Sequence, residues 1–93
     1  MQEITKLFKI LSDSNRLEIF KIILQKKKSC VCDIARITKL KRNLISHHLK
    51  TLEKANLIKH SKVGRNVYYC INEDYITYIK NLICNFFDNE KNF

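Results

Sequence analysis

Apolar residues recur along this chain at two spacings, and the change of spacing divides it into a helical front, a short β segment and a helical tail. Ile4, Leu7, Phe8 and Leu11 fall three and four apart, which predicts a helix over 2–11. Ser12 and Asp13 are cap-forming residues that end it and start the next. That second helix runs from about 14 to 25, with Leu17, Phe20, Ile23 and Leu24 as its apolar stripe. Lys26-Lys27-Lys28 follows, where positive charge suits a helix C-terminus. Ser29 is placed to cap a short helix over 30–37, with Ile34 and Ile37 inward. Residues 38–41 form a turn, and a fourth helix spans about 42–55 with Leu44, Ile45, Leu49 and Leu52 toward the core.

The pattern then shortens. Residues 57–62 read as a strand, and Val67-Tyr68-Tyr69-Cys70-Ile71 as a second, rich in β-formers. Between them Gly64-Arg65-Asn66 holds the chain's one glycine, where a hairpin turn needs positive φ. Two short helices joined by a tight turn, followed directly by a basic hairpin, make a winged helix-turn-helix. The class expected is therefore mainly α with a small β-hairpin, in one domain over 1–93. The tail, about 73–88, is apolar around most of its circumference: Tyr75, Ile76, Tyr78, Ile79, Leu82, Ile83, Phe86 and Phe87. One small core cannot hide so much surface, so this helix, with the first, is expected to pack against a second copy.

Charge narrows the partner. The 93 residues carry 18 Lys+Arg against 9 Asp+Glu, a net charge of +9, which favours a polyanion such as nucleic acid. A membrane surface would instead call for a basic amphipathic helix with little other core. No apolar run approaches the roughly 20 residues of a membrane span, and the first helix, with Glu3 and Lys6, lacks a signal-peptide block, so the chain is expected in the cytoplasm. An enzyme is not expected: there is no phosphate loop, no acid/base pair in an evident pocket and little length to enclose a substrate.

The fourth helix has an outward polar face of Arg42, Asn43, Ser46, His47 and Lys50. Asn43, Ser46 and His47 can hydrogen-bond base edges in a major groove, while Arg42 and Lys50 suit phosphates. Lys39 and Lys41 in the turn suit phosphates too, and Lys62, Arg65 and Asn66 on the wing suit the backbone or the minor groove. His48 reads as DNA-facing or structural, and His60 as a strand surface residue.

Four cysteines in a reducing compartment read as free thiols or ligands rather than a disulfide framework. Cys30 and Cys32 stand one residue apart at a helix start. Inside a helix, residues i and i+2 point about 200° apart. In extended chain they share a side. The pair can therefore grip one ion only where the first turn is partly extended, and doing so would distort the helix that supports the reader. As a bland alternative, both are small apolar core residues. Cys70 reads as strand packing, and Cys84 as a dimer-core residue or, less favoured, a third ligand.

Four stretches in order resemble the ArsR/SmtB family of metal-sensing winged-helix repressors, over nearly the whole chain. Leu7-Phe8-Lys9-Ile10-Leu11-Ser12-Asp13 with Asn15-Arg16-Leu17 is similar to the family's opening, and Cys30-Val31-Cys32-Asp33-Ile34-Ala35 to its metal box. Ser46-His47-His48-Leu49-Lys50-Thr51-Leu52 resembles its recognition helix, and Gly64-Arg65 with Val67-Tyr68-Tyr69 its wing. The resemblance implies a homodimer on double-stranded operator DNA that represses until an inducer binds Cys30 and Cys32. No permanent cofactor is implied; the inducer would be As(III)/Sb(III) or Cd(II)/Pb(II). Arsenite and antimonite want three thiolates, and the position of the arsenic branch's third cysteine is Ala35 here. The cadmium/lead branch draws further thiols from an N-terminal arm, which this chain, opening almost at the first helix, is expected to lack. The zinc-type site of the last helix is matched by Glu73, Tyr75 and Phe86 and looks absent. Two other readings compete: a redox or persulfide sensor of the same fold, and a basic interaction or metal-buffering module that reads no DNA.

Overall fold

The computed structural model describes residues 2–90. Its elements run α1 (Gln2–Leu11), α2 (Ser14–Gln25), α3 (Val31–Thr38), α4 (Arg42–Lys54), β1 (Ile58–Val63), β2 (Asn66–Ile71) and α5 (Glu73–Glu90). This is the expected winged helix-turn-helix. Asp13 begins α2 by accepting a hydrogen bond from the Arg16 amide at 3.1 Å. The same bond is the main reason its carboxyl lies below the usual carboxylate range.

The core is a single cluster to which most elements contribute. Ile19 and Ile23 of α2, Ile34 of α3, Ile45, Leu49 and Leu52 of α4, then Leu57 and Ile58, are fully buried. Each such side chain contributes about 1.5–3 kcal/mol relative to exposure. The inward face of α2 differs from the expected stripe. Ile19 and Ile22 join Phe20 and Ile23, while Leu17 and Leu24 are 47% and 49% exposed. Six of eight positions from 17 to 24 are apolar, so spacing alone selected no face; packing against α3, α4 and β2 selected it. Leu44 is likewise exposed, by 37%, about a quarter turn from the stripe of Ile45, Leu49 and Leu52. Ile37, expected inward, is exposed in the last turn of α3.

The hairpin pairs antiparallel from Ile58↔Ile71 to Val63↔Asn66. Its tip is therefore Gly64-Arg65 alone, with Gly64 at φ 63° as a two-residue turn requires. Asn66, expected in the turn, is paired in β2. Ser29 adds a one-residue bridge to Tyr69 on the outer edge of β2. The first and last helices meet, and the hydroxyls of Tyr75 and Tyr78 on α5 donate to the Glu3 carboxylate of α1 at 3.3 and 2.8 Å. Phe8, Tyr78 and Phe87 stay exposed on these two helices. Among the described residues no helix is long and apolar enough to cross a membrane.

Candidate functional site

Helix α4 exposes one polar face and buries the other. Arg42, Asn43, Ser46, His47 and Lys50 are all exposed, while Ile45, His48, Leu49 and Leu52 are buried. Lys41 is the N-cap of α4 and Lys39 the C-cap of α3, the latter held left-handed at φ 64°. Both lysines are exposed, as are Lys62, Arg65 and Asn66 on the wing. Every side chain expected to reach DNA is therefore open to solvent. Of the two readings of His48, the structure selects the structural one. It is 4% exposed and accepts a hydrogen bond at Nδ1 from Arg16 Nε at 3.3 Å. Burial pushes its pKa below the ordinary histidine value; the Arg16 and His47 charges push the same way, and the Asp13 carboxylate opposes them. His60 is on the strand surface as expected, paired with Glu53.

The thiol site is built on the first turn of α3, one residue away from its expected boundary. Cys30, not Ser29, is the N-cap, with extended backbone at φ −92° and ψ 168°. Its sulfur accepts from the Asp33 amide at 3.3 Å, and the Asp33 carboxylate accepts from the Cys30 amide at 3.2 Å. This reciprocal pair is a capping box written with Cys and Asp in place of the usual Ser/Thr and Glu. Ser29 is withdrawn from that role because both its backbone groups bond Tyr69.

The extended conformation of Cys30 turns its sulfur toward Cys32, as the i, i+2 argument requires at a helix start. The structure joins the two as a disulfide across a Cα–Cα distance of 5.3 Å, where free thiols or ligands were expected. The cap geometry brings the two Cα atoms within disulfide reach, which the residue spacing alone does not reveal. Cys70 and Cys84 are free. The sulfurs of Cys30 and Cys32 and a carboxylate oxygen of Asp33 all lie within 4.8 Å of one another. That donor set suits a thiophilic divalent cation once the pair is reduced to thiolates. Asp33 was not foreseen as part of the site; its signal in the sequence is its place three residues after the capping cysteine. Cys84 is exposed on α5, which packs on α1, and stands outside the group.

A recognition helix with one exposed polar face, seated on a short helix and flanked by a basic hairpin, defines a winged-helix DNA-binding protein. Residues 13–60 match the model of the bacterial regulatory protein, arsR family. The chain is similar to the cadmium resistance transcriptional regulatory protein CadC of Listeria innocua, 42% identical over 79 residues, covering 85% of this chain and 66% of that one. It is also 42% identical over 67 residues to the arsenical resistance operon repressor of Bacillus subtilis, covering 72% of this chain and 64% of that one. The chain thus spans about two thirds of the length of each of these relatives. Its fold matches the homodimeric winged helix-turn-helix DNA-binding domain Mb0332 from Mycobacterium bovis with a TM-score of 0.72 at 23% identity, covering 94% of this chain and 80% of that one. The chain belongs to the arsR family, a family of DNA-binding transcriptional regulators.

Proposed function

We propose that this chain is a repressor that leaves its operator when a thiophilic divalent cation, of the cadmium or lead type, is taken by Cys30, Cys32 and Asp33. One observation carries the reading: two of the three donor groups gathered at the start of α3, Cys30 Sγ and the Asp33 carboxylate, are the groups that cap it. A cation would supply strong sulfur bonds and a charge complementary to two thiolates and a carboxylate. Turned toward such a charge, Cys30 Sγ and the Asp33 carboxylate leave two amides of the first turn uncapped. Helix α3 packs directly on α4, so its first turn and the seat of the reading helix are not independent. If the capped form fits DNA and the ligated form does not, each ligand weakens the other by the same factor.

The relatives' names point both to cadmium and to arsenic. The third donor favours the cadmium reading: arsenite prefers three thiolates, and the third group within reach of the two sulfurs is the Asp33 carboxylate, with Ala35 at the alternative position. On DNA, Asn43, Ser46 and His47 read base edges, and Lys39, Lys41, Arg42 and Lys50 hold phosphates. Lys62, Arg65 and Asn66 extend the contact from the wing. A homodimer places two such readers on one palindrome, and the exposed Phe8, Tyr78 and Phe87 supply its face.

The test is titration of the reduced protein, bound to the DNA upstream of its own gene, with cadmium, lead, arsenite and zinc. Release by cadmium or lead in the native chain, lost in Cys30→Ser and Cys32→Ser, is expected. Retention of the response in both variants, or no preference for that DNA over random sequence, sinks the proposal. A second reading rests on the joined sulfurs of Cys30 and Cys32: a redox sensor of the same fold. It requires release on oxidation with no metal present, and recovery with reductant.

A further inference from the structure

We propose that the thiol site governs the wing as well as the helix it caps, through a clip formed by Lys28 and Ser29; this rests on the sensor reading above. Three consecutive residues make the connection. Lys28 Nζ sits over the ring of Tyr68, 4.8 Å from its centroid. Ser29 donates its amide to the Tyr69 carbonyl at 3.0 Å and accepts the Tyr69 amide at 2.8 Å. Cys30, the next residue, is the N-cap whose amide is held by Asp33. Ser29 alone links the backbone of the donor cysteine to the backbone of the wing along this route.

The wing needs this support. A two-stranded hairpin has little stability of its own in water, and although Ile58, Tyr69 and Ile71 pack on the core at its base, β1 beyond Ile58 is exposed along its length. The Ser29 bridge is what β2 has on its outer edge. Tyr69 lies four residues from Arg65, about 13 Å along an extended strand, so loosening at Ser29 reaches the tip through a single strand.

The clip is also poised to let go. Ser29 is fully buried, and its hydroxyl has no hydrogen-bond partner among the described residues. A buried, unpaired hydroxyl favours any rearrangement that lets it find a partner. A turn of the Cys30 backbone toward a ligand moves the Ser29 carbonyl, which belongs to the peptide bond the two residues share and accepts the Tyr69 amide. The wing then loses the bridge on the outer edge of β2, and with it the fixed position of Lys62, Arg65 and Asn66. Release from DNA is thereby shared between the recognition helix and the wing.

The experiment is residue-resolved amide hydrogen exchange on the full reduced chain, with and without cadmium chloride. Metal capture is confirmed separately by the thiolate-to-metal ultraviolet absorption band. The Ser29 and Tyr69 amides are expected to exchange at least about tenfold faster in the cadmium form, with the Leu49 and Leu52 amides unchanged. Cys30→Ser should abolish the difference. An absorption band with unaltered Ser29 and Tyr69 exchange overturns the clip and leaves the sensor reading standing. No band at all overturns both.

Discussion

Arg16 Nε donates to Nδ1 of His48 at 3.3 Å, and this bond ties the start of α2 to the buried face of the recognition helix. The same arginine donates through a terminal guanidinium nitrogen to the Ile10 carbonyl at 3.0 Å, and its amide is held by Asp13. One residue thus joins the end of α1, the cap of α2 and the middle of α4. The bond requires neutral imidazole with a free Nδ1 lone pair. Burial, which pushes the His48 pKa down, keeps it in that form.

A pH dependence follows from that direction. The folded pKa of His48 lies below its ordinary 6.5, so on acidification the unfolded chain takes up a proton before the folded chain does. Its contribution to stability is complete above 6.5 and declines as the pH falls from there through the folded value. Urea melts at about pH 7.5 and about pH 5.5 are expected to show a lower midpoint at the acid value. His48→Gln, which keeps an acceptor without titrating, should narrow the difference. An equal midpoint at both pH values in the native chain would contradict the Arg16–His48 account.

Asp33 can be tested as cap and as donor separately. Asp33→Ala removes the acceptor for the Cys30 amide and should cost about 1 kcal/mol of stability, read from the denaturation midpoint. The surface pair with Arg36 adds little to that cost. Asp33→Asn keeps an acceptor oxygen but not the charge. It should hold stability within about 0.5 kcal/mol while weakening cadmium binding at least about tenfold. Equal cadmium affinity in the Asn variant would remove Asp33 from the donor set.

If the exposed lysines and arginines on α4, its flanking turn and the wing neutralise phosphates as proposed, operator binding should depend steeply on salt. Lys50→Ala and Arg65→Ala should each weaken binding and reduce the slope of log affinity against log salt by about 1. Ser46→Ala should leave the slope in place and lower discrimination against altered operators, by about 1–3 kcal/mol at the contacted base pair. Affinity that stays flat from low to moderate salt would rule out the phosphate contacts.

The order of elements and most of the exposed face of α4 were legible from spacing, because Ser46 and Lys50 stand against Ile45 and Leu49; apolar but exposed Leu44 and polar but buried His48 break the pattern. The face of α2 was not, since apolar residues surround that helix and only packing distinguishes Ile19 from Leu17. The cap of α3 was misplaced by one residue. Ser29 is the better capping type, but its backbone is claimed by Tyr69, a partner 40 positions away that no local pattern reveals. That shift turned Cys30 from a helix residue into the cap and brought Asp33 beside the thiols. His48 was ambiguous for a related reason: a polar residue on the inward stripe is explained only by Arg16, 32 positions earlier.

The apolar face shared by α1 and α5 should hold two copies together. Phe8 lies on the same stripe as Ile4 and Leu7 yet is 57% exposed, and Phe87 is 55% exposed. Phe87→Glu is expected to shift the protein toward monomer in sedimentation at micromolar concentration without altering its far-ultraviolet circular dichroism. Because half-sites are then read singly, operator affinity should fall with it. An unchanged dimer in Phe87→Glu would move the interface elsewhere.

Oxidation separates the two sensing readings. With Cys30 and Cys32 joined, α3 still runs from Val31 to Thr38, its capping box is formed, and the Ser29–Tyr69 bridge is closed. The elements proposed to support the reading face are thus formed in the oxidised form, whose sulfurs have no thiolate to offer a metal. Protein oxidised with a disulfide reagent is therefore expected to hold its operator and to ignore cadmium, and reductant should restore the response. Band shifts with the same operator DNA, in four combinations of oxidant and cadmium, decide the matter. If oxidation alone frees the DNA, the pair acts as a redox sensor and the cap is not its means of control.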